Sequence, residues 1–190
     1  MNTPNKLTVS RMFLTPLFLA LVLTSLSHRY WISLAVFSIA ALTDFIDGRL
    51  ARKNNEITVF GKLLDPVADK MLTTAALLAF LVNGLCDVWI VMIILTREFA
   101  ITSIRLIASA QGVVIPANIW GKLKTVCQMV FTILILFLAD LEENFRIFEK
   151  IPLISFSLFS HILLWITAIL AVVSGAIYAW QSKDLIDFSK

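Results

Sequence analysis

The run Asp44-Phe45-Ile46-Asp47-Gly48-Arg49-Leu50-Ala51-Arg52, followed after eight residues by Gly61-Lys62-Leu63-Leu64-Asp65-Pro66-Val67-Ala68-Asp69, sets four carboxylates into apolar surroundings. An aspartate at the centre of a membrane span costs about 2.5–3.5 kcal/mol on the insertion scale, and less toward its ends. Four such charges must therefore face a bundle interior or a water-filled cavity rather than lipid. Asp44 and Asp47 are three residues apart and Asp65 and Asp69 four apart, so each pair shares one face of a helix. Two antiparallel helices joined by a short loop can bring the faces together. Converging carboxylates repel strongly in a low dielectric unless they are protonated or hold cations. Hard cations with oxygen ligands, Mg²⁺ or Mn²⁺, suit the set. Four carboxylates suffice for two metals, an arrangement that clamps the attacking and leaving oxygens in phosphoryl chemistry. Gly48 and Ala51, each four residues past an aspartate, leave the helix surface bare for a bulky ligand, and Arg52 adds a phosphate-matching fork. Pro66 is accommodated if the helix starts near Asp65 as its N-cap; a start near Gly61 makes Pro66 a bend.

Outward from this stretch, the 190-residue chain is 59% apolar, with mean hydropathy +0.88. That is far above a soluble domain. The apolar residues fall into six blocks of about 20, each long enough to cross a hydrocarbon core. They run Leu7–Ser27, Tyr30–Gly48, Lys62–Val82, Val88–Ala108, Leu123–Asp140 and Phe156–Trp180. The expected fold is all-α: a polytopic membrane protein with six transmembrane helices, residues 1–190 forming one domain. With the N-terminus in the cytoplasm, only Arg29, Arg146 and Lys150 of the 16 lysines and arginines fall outside. That asymmetry puts both termini and the aspartates on the cytoplasmic side. No soluble basic face is on offer for nucleic acid. Cys86, in an outer turn, and Cys127, in the fifth span, have no metal or redox spacing and are not expected to pair. The first block follows Lys6 and Arg11 as a signal peptide would, but it contains Pro16 and lacks a small-x-small cleavage site, so it reads as a retained span. The segment Leu141–Pro152, with Asp140, Glu142, Glu143 and Glu149, reads as a solvated outer loop.

The aspartate stretch resembles the signature of the CDP-alcohol phosphatidyltransferases, D-x-x-D-G-x-x-A-R-(x8)-G-x-x-x-D-x-x-x-D, with every fixed position present. The opening Thr3-Pro-Asn5-Lys-Leu-Thr8-Val-Ser-Arg11, the run Thr96-Arg97-Glu98 with Arg105, and Trp120-Gly121-Lys122-Leu-Lys124-Thr125 resemble the bacterial branch of that family that uses glycerol 3-phosphate. The likeness reaches about Gln128; the final span adds no recognised motif. It implies a six-helix fold, a homodimer in the bacterial inner membrane, CDP-diacylglycerol as donor and sn-glycerol 3-phosphate as acceptor. The products would be phosphatidylglycerophosphate and CMP. It further implies that Asp44, Asp47, Asp65 and Asp69 hold two divalent cations, that Asp69 also takes the acceptor proton, and that Gly48, Ala51, Arg52 and Gly61 contact the CDP part.

Arg97 lies inside the fourth span, with Arg105 two turns toward the cytoplasm and Lys124 at the start of the fifth. An intramembrane arginine points to function, and a phosphorylated acceptor would need such cations. The alternative for Arg97 is a structural pair with an acid such as Glu98; for Lys124 it is ordinary interfacial anchoring. Asn5, Thr8 and Arg11 could close over the headgroup, or simply form a polar helix start. Three other functions compete. A transferase of the same family with inositol phosphate or serine as acceptor would keep the aspartates. A membrane prenyltransferase would release pyrophosphate instead of CMP. A cation transporter would place its acids near the bilayer midplane, whereas these cluster at one face.

Overall fold

The computed structural model describes residues 3–54, 59–113, 118–148 and 155–183, with side chains described at 7–43, 67–68, 70–113, 118–148 and 155–183. Among these residues the chain forms six helices and no strand: α1 (Thr3–Leu23), α2 (Arg29–Asn54), α3 (Val59–Val82), α4 (Val88–Ala110), α5 (Ile119–Phe145) and α6 (Phe156–Ser182). The helices run up and down. Side chains near the start of α2 and the ends of α3 and α5 meet at one end of the bundle, called here the outer end. Those near the end of α4, the start of α5 and the end of α6 meet at the other, the inner end. α1 packs along α2 and α3, α2 reaches α5, and α6 lies between α4 and α5.

The helices bury small and polar residues and turn large apolar ones outward. On α6 the inward face carries Ser160, Thr167, Ala168, Ala171 and Ser174, while Ile162, Ile166, Ile169 and Val172 are exposed. On α5, Gln128, Thr132 and Ala139 are buried and Val126, Val130 and Ile133 exposed. Helices solvated by hydrocarbon gain nothing from hiding leucine and isoleucine from it, so close packing through small residues decides which face goes inside. Buried hydroxyls are satisfied within their own helices: Thr15 donates to the Arg11 carbonyl (2.9 Å), Ser33 to Arg29 (2.7 Å) and Ser182 to Tyr178 (2.7 Å). An aromatic and aliphatic core remains around Phe18 and Phe37, whose rings lie 5.6 Å apart, with Phe80, Ile90, Ile135 and Leu164. Among the described residues, α5 and α6 are long and apolar enough to cross a membrane by length and composition, and Leu7–Leu23, Arg29–Thr43 and Lys70–Val82 are shorter apolar stretches.

Several boundaries differ from the sequence reading, α2 for one running on to Asn54 past Gly48, and three of the differences have a physical consequence. α1 stops at Leu23 instead of Ser27 because Arg29 folds back over its end. The Arg29 guanidinium donates to the carbonyls of Val22 (3.2 Å) and Thr24 (3.0 Å), groups that a helix terminus leaves without partners. α5 continues past Asp140 to Phe145, so Asp140 belongs to no solvated loop. It is 5% exposed, accepts from the Trp31 backbone N–H at the start of α2 (3.3 Å), and pairs with His28 Nδ1 (3.1 Å). α3 begins at Val59, so Asp65 is not its N-cap and Pro66 falls in the second turn, where a proline forgoes one backbone hydrogen bond.

Candidate functional site

At the inner end, cationic side chains from three helices gather around one residue of α4. Glu98 Oε1 accepts from Arg97 Nη1 at 2.9 Å and from Lys124 Nζ, on α5, at 2.7 Å. The Glu98 backbone carbonyl accepts from Lys70 Nζ of α3 at 3.2 Å and from the Thr102 hydroxyl at 2.7 Å. Lys70 also donates to that hydroxyl. Lys124 is almost wholly buried, its side chain only 3% exposed. A buried ammonium is tolerated when a carboxylate compensates it, and Glu98 supplies one.

Arg97 crosses from α4 toward α6, where its Nη2 donates to Ser174 Oγ at 3.0 Å. Two glycines make room for it. A Cβ at Gly175 would stand 3.1 Å from Arg97 Cγ, and one at Gly121 would stand 3.3 Å from Nη2. Arg97 Nε is buried without a hydrogen-bond partner among the described residues. Two turns further along α4, Arg105 Nε donates to the Tyr178 hydroxyl (3.1 Å) and its guanidinium lies over the Tyr178 ring (5.3 Å). Arg97 and Lys124 thus share one carboxylate, Lys70 binds the backbone of the same residue, and Arg105 adds a fourth cation two turns along. Cations grouped in this way can bind an anion with several acceptor oxygens.

The remaining sequence-derived residues are placed by backbone alone. Asp44, Asp47, Gly48, Ala51 and Arg52 lie on the inner half of α2, and Gly61, Asp65 and Asp69 on the first turns of α3; their side chains lie outside the described residues, as does that of Asn5 on the first turn of α1. Both aspartate pairs are therefore on helix segments at the inner end, the end of the cationic cluster. Asp69 directly precedes Lys70. Thr8 and Arg11 are buried on α1 at 2% and 1% exposure.

The model of the family described as CDP-alcohol phosphatidyltransferase matches residues 1–173. The chain belongs to that family. Among its CDP-alcohol phosphatidyltransferase relatives is a protein of Bacillus subtilis, 38% identical over 186 residues, which cover 92% of this chain and 91% of the relative. One from Rickettsia typhi is 33% identical over 177 residues, covering 93% and 94%. One from Pseudomonas fluorescens is 35% identical over 142 residues, covering 72% of each. All three carry the name CDP-diacylglycerol–glycerol-3-phosphate 3-phosphatidyltransferase.

The sequence reading places α6 as a span but gives it no part in the site. Ser174, Gly175 and Tyr178 line the cluster, yet they lie just beyond the stretch that matches the family model. One signal was available: Ser174, Gly175 and Tyr178 fall on one helical face, and a lone glycine in a span marks a close approach. Glu98 was seen only as a possible partner of Arg97; its bond to Lys124 joins helices that no sequence spacing relates.

Proposed function

We propose that this protein transfers the phosphatidyl group of CDP-diacylglycerol to sn-glycerol 3-phosphate, giving phosphatidylglycerophosphate and CMP. The observation that carries this reading is the cationic cluster of Lys70, Arg97 and Lys124 around Glu98, at the bundle end that also carries both aspartate pairs. The names of the relatives, which match most of the chain, agree with it. A phosphorylated acceptor offers such cations several anionic oxygens, which serine does not.

The chain is one membrane domain of six spans, with both termini and the site on the cytoplasmic side of the inner membrane, and works as a homodimer. Support for six spans comes from the lipid-type packing of α5 and α6 and from charge asymmetry. α4 turns Arg97 and Glu98 toward the bundle, and Arg105, exposed near its inner end, rests on Tyr178, so its charges do not bar it from the membrane.

Asp44, Asp47, Asp65 and Asp69 fit two divalent cations, Mg²⁺ or Mn²⁺, by the chemistry of an all-carboxylate set on two helices at one end. Bound there, the cations would supply neutralisation of the pyrophosphate and of the departing CMP. Gly48, Ala51 and Gly61 let the CDP part lie against bare helix surface, and Arg52 matches its phosphates. Arg97, Arg105 and Lys124 hold the phosphate of the acceptor, which fixes its free hydroxyl toward the donor. Asp69 accepts the proton of that hydroxyl as its oxygen attacks the phosphorus and the bond to CMP breaks. Attack is direct, since no activated Ser, Cys or His stands in the motif. Asn5, Thr8 and Arg11 of α1 close over the headgroup.

The test is CMP release by purified protein given CDP-diacylglycerol, glycerol 3-phosphate and Mg²⁺. Release that requires the acceptor and stops with chelator is expected. Incorporation of serine with no incorporation of labelled glycerol 3-phosphate would overturn the acceptor, and release of pyrophosphate would overturn the reaction.

A further inference from the structure

Glu98 is the odd member of the cluster. It places a negative charge where the acceptor's own negative charge is to bind. A carboxylate in an anion site weakens binding by repulsion unless it does something that outweighs it. We propose that Glu98 is the positioning residue of the acceptor site: it fastens Arg97 and Lys124 into one preassembled cradle for a phosphate group. This inference rests on the proposed function above.

Geometry supports the role. One oxygen, Oε1, receives both Arg97 Nη1 and Lys124 Nζ, so the two cationic heads are held together although they come from different helices. The opposite side of the guanidinium is fixed by Ser174 on α6. Arg97 is thereby held from two directions and cannot swing without breaking a charge-assisted bond. The Glu98 carbonyl engages Lys70 and Thr102, which ties the same turn of α4 to α3 next to Asp69. Glu98 thus links the helix bearing the proposed base to the helices bearing the acceptor cations. Two like charges brought close by a carboxylate need little rearrangement when an anion arrives, and that preorganisation favours binding.

The test compares wild type, Glu98→Gln, Glu98→Asp, Lys124→Met and the double variant Glu98→Gln/Lys124→Met, all as full-length protein in detergent. KM for each substrate is read from CMP release, and calorimetric titrations with glycerol 3-phosphate and with inorganic phosphate read the cradle without turnover. Glu98→Gln should raise the acceptor KM and weaken both titrations by about 10- to 100-fold, the size of effect typical for losing a charged hydrogen bond. The KM for CDP-diacylglycerol should not move. Glu98→Asp, which keeps the charge, should recover part of the loss. In the Lys124→Met background, Glu98→Gln should cost much less than it does alone.

An acceptor KM that is unchanged or lower in Glu98→Gln would overturn the proposal; a lower value would mean that the carboxylate competes with the phosphate. Equal rises for donor and acceptor that track a fall in melting temperature would also overturn it, because Glu98 would then be structural only. If wild type releases no CMP, the proposed function fails, and the phosphate titrations still decide for or against the cradle.

Discussion

The two ends of the bundle handle charge differently. At the outer end the described pairs are one to one: Arg29 with Glu143 (3.2 Å), His28 with Asp140 (3.1 Å), and His161 with Asp87 (3.4 Å). Neutral bonds complete the join, from the Tyr30 hydroxyl to Asn83 (3.0 Å) and from Ser157 to the Gly84 carbonyl (2.9 Å). At the inner end the Glu98 carboxylate is shared by Arg97 and Lys124, while Lys70 bonds the Glu98 backbone carbonyl and Arg105 the Tyr178 hydroxyl. One-to-one pairs suffice where the task is to hold helices together. A carboxylate shared by two cations gathers them in one place.

Substitutions at the two ends should therefore separate cleanly. The largest effect is expected for Asp69→Asn, which should cut the rate of CMP release by about 10²–10⁴-fold, the usual range for loss of a general base, with the protein still folded by circular dichroism. Gly175→Leu comes next. It pushes into the space of Arg97 and should lower kcat/KM for the acceptor by up to about 10²-fold, the cost of misplacing a binding group by an ångström; an unaffected acceptor KM would break the assignment of Arg97. Asp140→Ala, at the outer end, should leave both KM values alone. It should destabilise the fold by about 1–3 kcal/mol, since the Trp31 N–H and His28 lose their acceptor, as a thermal melt in detergent would read. A change in acceptor KM here would erase the contrast between the ends.

At neutral pH the smallest effect concerns Cys86 in the outer turn. Burial pushes its thiol up to about 12 from an ordinary 9.0. The folded protein keeps this proton at a pH where the unfolded chain loses it, so stability should fall progressively as pH rises from 9.0 toward 12 and should not change below 9.0. Near neutral pH a maleimide should label Cys86 only on unfolding, as mass spectrometry would show; rapid labelling of the native protein would refute its burial.

Much of this was legible in the chain because the residues concerned act locally. Helix number and order follow from apolar runs interrupted at Ser27–Tyr30, Lys53–Phe60, Asn83–Asp87, Gln111–Gly121 and Leu141–Pro152. The aspartates, spaced by helical turns, announce a site without any tertiary knowledge. Arg97 and Lys124 stood out as cations in or beside apolar spans. What stayed hidden depends on packing between distant segments. Asp140 looked like one acid in a charged loop, yet it holds the start of α2 from 109 residues away. Ser174 and Gly175 looked like ordinary small residues of a membrane helix until α4 laid an arginine against them. The end of α1 was misjudged because its stop signal is the side chain of Arg29, six residues past Leu23.

The position of Gly175 also bears on biogenesis. The wall against which Arg97 rests is supplied by α6, which leaves the ribosome after the other described helices, whereas the segment bearing the aspartates is made far earlier. A nascent chain lacking α6 would leave the arginine without Ser174 at its side. The setting of Arg97 is therefore complete only when α6 docks, and truncation before Ser174 should separate insertion into the membrane from activity.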